Sequence, residues 1–402
     1  MILRARYKFG IPIVLGLLGL TFLSGVESVT AKPKACILTR EEQNQLNSLV
    51  PLREPIPMVV FTDPGFDVDD ETALMVAASL QTRRLISLRL VVATTEPSKL
   101  RARLAKGLLK QLGLGQVPVV VGDSARPEGF DPQTNRLQAP FLASSSEVSG
   151  EAGAAFGEVL SQSPDDSVVV LVIAKMTDVN RFLHADPLLF RLKVKRVVIM
   201  GGVELDTVSH RVDVKSGVFR ADERSTNNTH DQSAANEFYD LLQAMQIPTT
   251  IVTRFAAVGT PIPPSFFDEL QCSGHPVAAH LGKLEGLFLN EFWQAARQGK
   301  LGEERDENWF IRSFCYPDSA PKIQHGDDIR PFLKSRVLYD AVALIAGVES
   351  LASEYFQPLN LKPDGRNNYY LVGLSPSSTG IKEPEKLAAL IFGLAKEATK
   401  LP

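Results

Sequence analysis

The feature that most constrains how this chain folds is its rhythm of short, branched-apolar runs separated by helical patterns. Residues 57–62, 86–95, 117–122, 167–173, 194–200 and 249–253 are rich in Val, Ile and Leu, and helical spacing recurs between them at 69–83, 98–112, 150–161 and 231–245. Continuous apolar runs suit strands covered on both faces. Such runs punctuated by helices predict a mostly parallel sheet flanked by helices. The expected class is therefore α/β, with a Rossmann-like core. From about residue 261 the pattern turns helical. Leu281, Leu284, Leu287 and Phe288 are in phase over 277–297, and further helices are expected at 334–348 and 383–396. A late strand is expected at 368–374, and 303–331 reads as polar and irregular.

The N-terminus departs from this pattern. Arg4, Arg6 and Lys8 precede an apolar run at 11–23. That run is short of the ~20 residues a membrane helix needs. With Val29-Thr30-Ala31 behind it, the segment reads as a signal peptide over 1–31, cleaved after Ala31. An extracytoplasmic location, secreted or periplasmic, follows, and membrane association follows only if the leader stays as an anchor. Residues 32–56 read as a polar connector with a helix at 40–52, and 57–402 as one domain without internal repeats. A net charge of −3 with no basic half argues against a nucleic-acid partner and leaves small molecules. A homo-oligomer stays open. Cys36, Cys272 and Cys315 match no zinc spacing. Cys272–Cys315 is the nearer pair for a disulfide, and free buried thiols are the alternative.

The chemistry concentrates in Thr62-Asp63-Pro64-Gly65-Phe66-Asp67-Val68-Asp69-Asp70, four carboxylates where a strand ends and a helix begins. Ligands in open parallel sheets bind just beyond the carboxyl ends of strands. An Asp pair at a helix start is ordinarily only a cap. The full run behind an apolar strand asks for more, because crowded carboxylates repel and a hard cation such as Ca²⁺ offsets that repulsion. A phosphatase with an aspartate nucleophile would carry a second Asp two residues after Asp63, where this chain has Gly65.

With these residues in view, the chain resembles the inosine–uridine-preferring nucleoside hydrolase family, whose first strand leads into Asp-Pro-Gly-x-Asp-Asp. Four more segments match in order. Ala174-Lys175-Met176-Thr177-Asp178 resembles the family's Gly-Pro-Leu-Thr-Asn turn, and Met200-Gly201-Gly202 its Met-Gly-Gly strand end. Asn227, four residues before Asp231, and Tyr339-Asp340-Ala341 resemble its ribose-binding Asn and its His-Asp-Pro segment. The chain departs from the pattern at Phe61, where the family has Asp, and by two extra residues before Asp69-Asp70. It departs again at Ser225 for Glu, at Tyr339 for His, and near Thr95–Glu96 and Ser149, where an Asn and a His are missing. The metal set is thus better kept than the groups that face the leaving base.

The resemblance implies a Ca²⁺-dependent hydrolase that cleaves the N-glycosidic bond of ribonucleosides, in nucleoside salvage. Asp63 would be base and metal ligand. Asp70, Asp340 and the Thr177 carbonyl would complete the metal shell. Asp69, Asn227 and Met200 would contact the sugar, and Asp67 would be an additional carboxylate. Tyr339 or His230 would protonate the leaving base, although Tyr339 reads more readily as a packed aromatic and His230 as an exposed loop residue. The alternatives are a related hydrolase acting on another ribosyl compound and a non-catalytic Ca²⁺- or ligand-binding relative.

Overall fold

The computed structural model describes residues 37–125, 136–148, 150–206, 209, 211–215, 218–302, 304–319, 322–324, 326–361 and 369–401. The leader with its cleavage point, Cys36 and Ser149 lie outside them. The strands are β1 (Ile56–Thr62), β2 (Ile86–Ala93), β3 (Val119–Val121), β4 (Val168–Val172) and β5 (Val194–Met200). A two-residue pair follows, β6 (Val214–Lys215) and β7 (Val218–Phe219), and then β8 (Thr249–Val252), β9 (Leu359–Asn360) and β10 (Tyr369–Val372). Eight of them form one sheet in the order β3-β2-β1-β4-β5-β8-β10-β9, while β6 and β7 pair separately. Every pairing in the large sheet is parallel except β10 with β9.

Side chains that alternate along each strand feed two cores. Met58 and Val60 join one apolar cluster and Val59 and Phe61 the other, and β4 divides Val169 and Leu171 from Val168, Val170 and Val172 in the same way. This two-sided burial is why the strands read as unbroken apolar runs. The strand order reverses between β1 and β4, which places the ligand crevice of such a sheet beyond their carboxyl ends.

The helix Asp69–Thr82 leaves β1 through this crevice. Every residue from Asp69 to Leu80 is buried, because the helix packs against the helices Tyr339–Ala346 and Pro384–Ala398. The helix Arg40–Ser48, expected within a connector, opens with a Thr39–Glu42 capping box and buries Leu46. It is tied to the C-terminal helix by Lys396 Nζ, 3.1 Å from both Glu42 carboxylate oxygens and 2.8 Å from Glu269.

Several expectations need correction. The helix expected over 334–348 begins only at Tyr339, because residues just before it are extended: Leu333 bridges Cys315 and Arg336 bridges Ile262. The stretch read as irregular at 303–331 contains the helix Glu307–Phe314, whose Asp306 side chain accepts the Trp309 N–H at 2.7 Å. Its apolar side packs with Phe292 and Trp293 in a third, aromatic cluster. The helices Thr177–Ala185 and Pro187–Lys193 were not expected. Cys315 is a free buried thiol and Cys272 is in a disulfide, so the Cys272–Cys315 bridge is not formed. Among the described residues no helix is long and apolar enough to cross a membrane.

Candidate functional site

The loop between β1 and its helix is held open by its own backbone. Gly65 has φ +95°, and a Cβ there would lie 2.0 Å from Leu137 Cδ2. The buried Arg101 guanidinium donates to the carbonyls of Asp63 (2.6 Å) and Pro64 (2.7 Å), which fixes the loop from below. Arg136 holds its outer side, donating to the Phe66 carbonyl at 2.5 Å and pairing with Glu291. The carboxylates also organise one another. The Thr62 hydroxyl and the Asp63 N–H (3.0 Å) both donate to Asp70 Oδ1, and the Asp69 N–H donates to Asp67 Oδ1 at 3.2 Å. No side chain caps this helix, and its first turn is acidic, which suits the partial positive charge of a helix N-terminus.

One carboxylate oxygen from each of Asp67, Asp69 and Asp70 lies within 4.8 Å of the others. Asp340, 270 residues further on, enters from the first turn of Tyr339–Ala346 and hydrogen bonds with Asp69. Burial raises Asp63, Asp69, Asp70 and Asp340 above the ordinary carboxylate range. Asp63 rises to about 6 against the pull of Arg101, with Asp67 adding to the rise. Asp69 is raised by burial and then by Asp340, and Asp70 by burial and then by Asp63. Asp340 is raised by burial and then by Asp70. Glu71, fully buried with both oxygens lacking a hydrogen-bond partner among the described residues, is pushed by burial to about 8. An all-oxygen donor set whose members repel one another fits a hard divalent cation of the Ca²⁺ type.

Around this floor stand the other residues singled out in the sequence. Thr177 opens the helix after β4, and its hydroxyl donates to Asp231 at 2.6 Å. Met200 ends β5, and its carbonyl accepts the Asn227 amide at 3.1 Å, so these two expected sugar contacts lie together. Tyr339 is half-buried beside Asp69 and Asp67, and burial raises its hydroxyl pKa. His230 is a correction. It is not an exposed loop residue: its side chain is 15% exposed, with Nδ1 4.0 Å from Asp63 Oδ2. Burial, then the positive charges of Arg101 and Lys175, hold it neutral down to about pH 4. Lys175 was passed over in the sequence, although it stands where the family pattern has Pro. It is buried, with Nζ 2.5 Å from Asp123 and 2.9 Å from the Ala125 carbonyl. Arg101 gave no sequence signal, being one of several basic residues on its helix.

Sheet, crevice and acidic floor define an α/β protein with a ligand site at the carboxyl edge of its strands. Residues 58–311 match the family described as inosine-uridine preferring nucleoside hydrolase, and the chain belongs to that family. Among solved structures, it is similar to the type III effector protein XopQ complexed with adenosine diphosphate ribose, at 29% identity and TM-score 0.78, over 90% of this chain and 99% of that one. The effector protein XOO4466 is similar at 30% identity and TM-score 0.77, with the same coverage. A purine-preferring ribonucleoside hydrolase from Gardnerella vaginalis shares the fold, at 15% identity and TM-score 0.53, over 85% of this chain and 99% of that one. No curated protein matches. The architecture is thus the nucleoside hydrolase fold, a mostly parallel eight-stranded sheet with flanking helices and a helical C-terminal part.

Proposed function

We propose that this chain is a Ca²⁺-dependent hydrolase of a ribosyl C1′–N bond, with extracytoplasmic salvage of nucleosides as its setting. The observation that carries the reading is the gathering of Asp63, Asp67, Asp69, Asp70 and Asp340 at the switch point of the sheet. Asp63, Asp70, Asp340 and the Thr177 carbonyl would hold the ion, with Asp67 as an extra carboxylate. When bound, Ca²⁺ supplies Lewis acidity toward water and vicinal sugar hydroxyls. Water oxygen bonds to C1′ as the C1′–N bond breaks, and Asp63 takes the water's proton. The negative floor favours the oxocarbenium character that develops at C1′. Asp69 and Asn227 hold ribose hydroxyls, with Asn227 set by its bond to the Met200 carbonyl. Tyr339 would give the leaving base its proton, because His230 is held neutral beside Asp63 and carries no proton to spare near neutral pH.

A second reading has its own support. The groups expected to face the base are replaced in this chain, and the relative XopQ has been seen with adenosine diphosphate ribose. A ribosyl compound other than a free nucleoside is then the substrate. The test is release of reducing sugar from a panel of nucleosides with Ca²⁺, with Asp63→Asn as the control and Ca²⁺ binding followed by calorimetry. Sugar release abolished by Asp63→Asn is expected. Ca²⁺ binding with no sugar released from any ribosyl compound would overturn the hydrolase.

A further inference from the structure

Five cations lie near the site and divide into two kinds; Arg136 is of the first, engaged with the Phe66 carbonyl and Glu291. Arg101 and Lys175 are buried and engaged with the Asp63 and Pro64 carbonyls and with Asp123. Arg254 and Arg305 are exposed, and neither side chain makes a hydrogen bond or ion pair among the described residues. Both are nevertheless held in place. Arg254 follows the end of β8, the strand beside β5 and its Met200, and its guanidinium stacks 4.9 Å over the Phe255 ring. Arg305 stacks 6.0 Å over Trp309, which contacts Phe292. Phe292 stacks on Phe288 at 5.6 Å, and Phe288 meets Phe66 of the Asp loop at 5.9 Å. A row of aromatic contacts therefore leads from the acidic floor to Arg305. The charges of both guanidiniums also reach the Tyr339 hydroxyl, as do those of Asp69 and Asp67. Tyr339 thus lies within reach of both the negative floor, suited to a cation and sugar hydroxyls, and two positive charges that no acidic side chain pairs with among the described residues.

We infer that Arg254 and Arg305 receive a phosphate carried by the ribosyl ligand, so that this site takes a nucleotide in preference to a free nucleoside. The inference rests on the ribosyl-binding reading above. A guanidinium with unused donors matches phosphate oxygens in a fork geometry, and stacking on an aromatic ring leaves those donors free. A free nucleoside would engage only the floor.

The experiment measures binding of adenosine, AMP and inorganic phosphate by calorimetry at fixed free Ca²⁺, on the full chain and on the R254A/R305A double variant, with Ca²⁺ affinity as the check on folding. AMP is expected to bind about tenfold or more tighter than adenosine. The double variant is expected to erase that difference, with adenosine as internal reference, and R254K/R305K to restore part of it. Inorganic phosphate is expected to compete with AMP and not with adenosine. Equal binding of adenosine and AMP, or a preference for AMP that survives R254A/R305A, would overturn the inference and leave the hydrolase intact. AMP bound through these arginines with no sugar released from any substrate would overturn the hydrolase and leave the arginine pair. Binding of neither compound while Ca²⁺ still binds would overturn both.

Discussion

At the scale of single residues, Glu71 makes the sharpest contrast between charge and environment. It stands in the first turn behind two aspartates, fully buried and without a hydrogen-bond partner among the described residues. Its pKa in the fold, about 8, exceeds the unfolded value of 4.5. The folded state therefore holds a proton that the unfolded chain releases, and the stability this contributes is lost as pH rises from about 4.5 through 8. In chelator, Glu71→Gln is expected to flatten the fall of the melting temperature between pH 5 and 8. An unchanged slope would mean that Glu71 is not the group responsible. His230 works in the opposite sense, with a folded pKa of about 4 against 6.5, so its contribution is lost as pH falls below 6.5. The carboxylate run was legible in the sequence because it is contiguous. The setting of His230 was not, because its burial depends on Asp63, 167 residues away, and on elements that no local pattern joins to it.

The loop from Asp63 to Asp70 is the element that positions the site, and glycine and arginine maintain its shape. Gly65→Ala meets both a positive φ and the Leu137 side chain. The backbone alone costs about 1–2 kcal/mol, and the overlap adds to it. The variant is expected to melt lower and to bind Ca²⁺ more weakly, since the loop carries Asp63 and Asp67 on either side of the strained position. Arg101→Met leaves two buried carbonyls unpaired and is expected to cost about 3 kcal/mol in denaturant unfolding; a change below 1 kcal/mol would show that the loop stands without it. Strands were read well at this scale because burial on both faces writes itself into uninterrupted Val and Ile. The helices were read less well. Glu307–Phe314 was missed because its neighbourhood is polar and its apolar side is only two turns long. The start of Tyr339–Ala346 was misplaced because Leu333 and Arg336 are drawn into bridges with Cys315 and Ile262, a tertiary override of a helical pattern.

In the whole molecule, the site joins chain ends that are far apart in sequence. Asp63–Asp70 belongs to the first strand and helix, and Asp340 to a helix that packs on that same Asp69–Thr82 helix. Without a cation, this junction brings together carboxylates that burial and mutual repulsion hold above their ordinary pKa. The folded metal-free protein then binds protons more tightly than the unfolded chain, and its stability falls as pH rises through those folded values. A bound cation reverses the dependence, because it requires the carboxylates ionised and competes with protons for them. Saturating Ca²⁺ is therefore expected to raise the melting temperature, by about 2.7 kcal/mol of added stability at a hundredfold excess over Kd. The gain should widen from pH 5 to pH 8 and vanish in chelator. Asp340→Asn should shrink it while raising the stability of the metal-free form at pH 8, since a buried charge is gone. A Ca²⁺-induced shift that is the same at both pH values, or that Asp340→Asn leaves untouched, would mean that the ion binds elsewhere than across this junction.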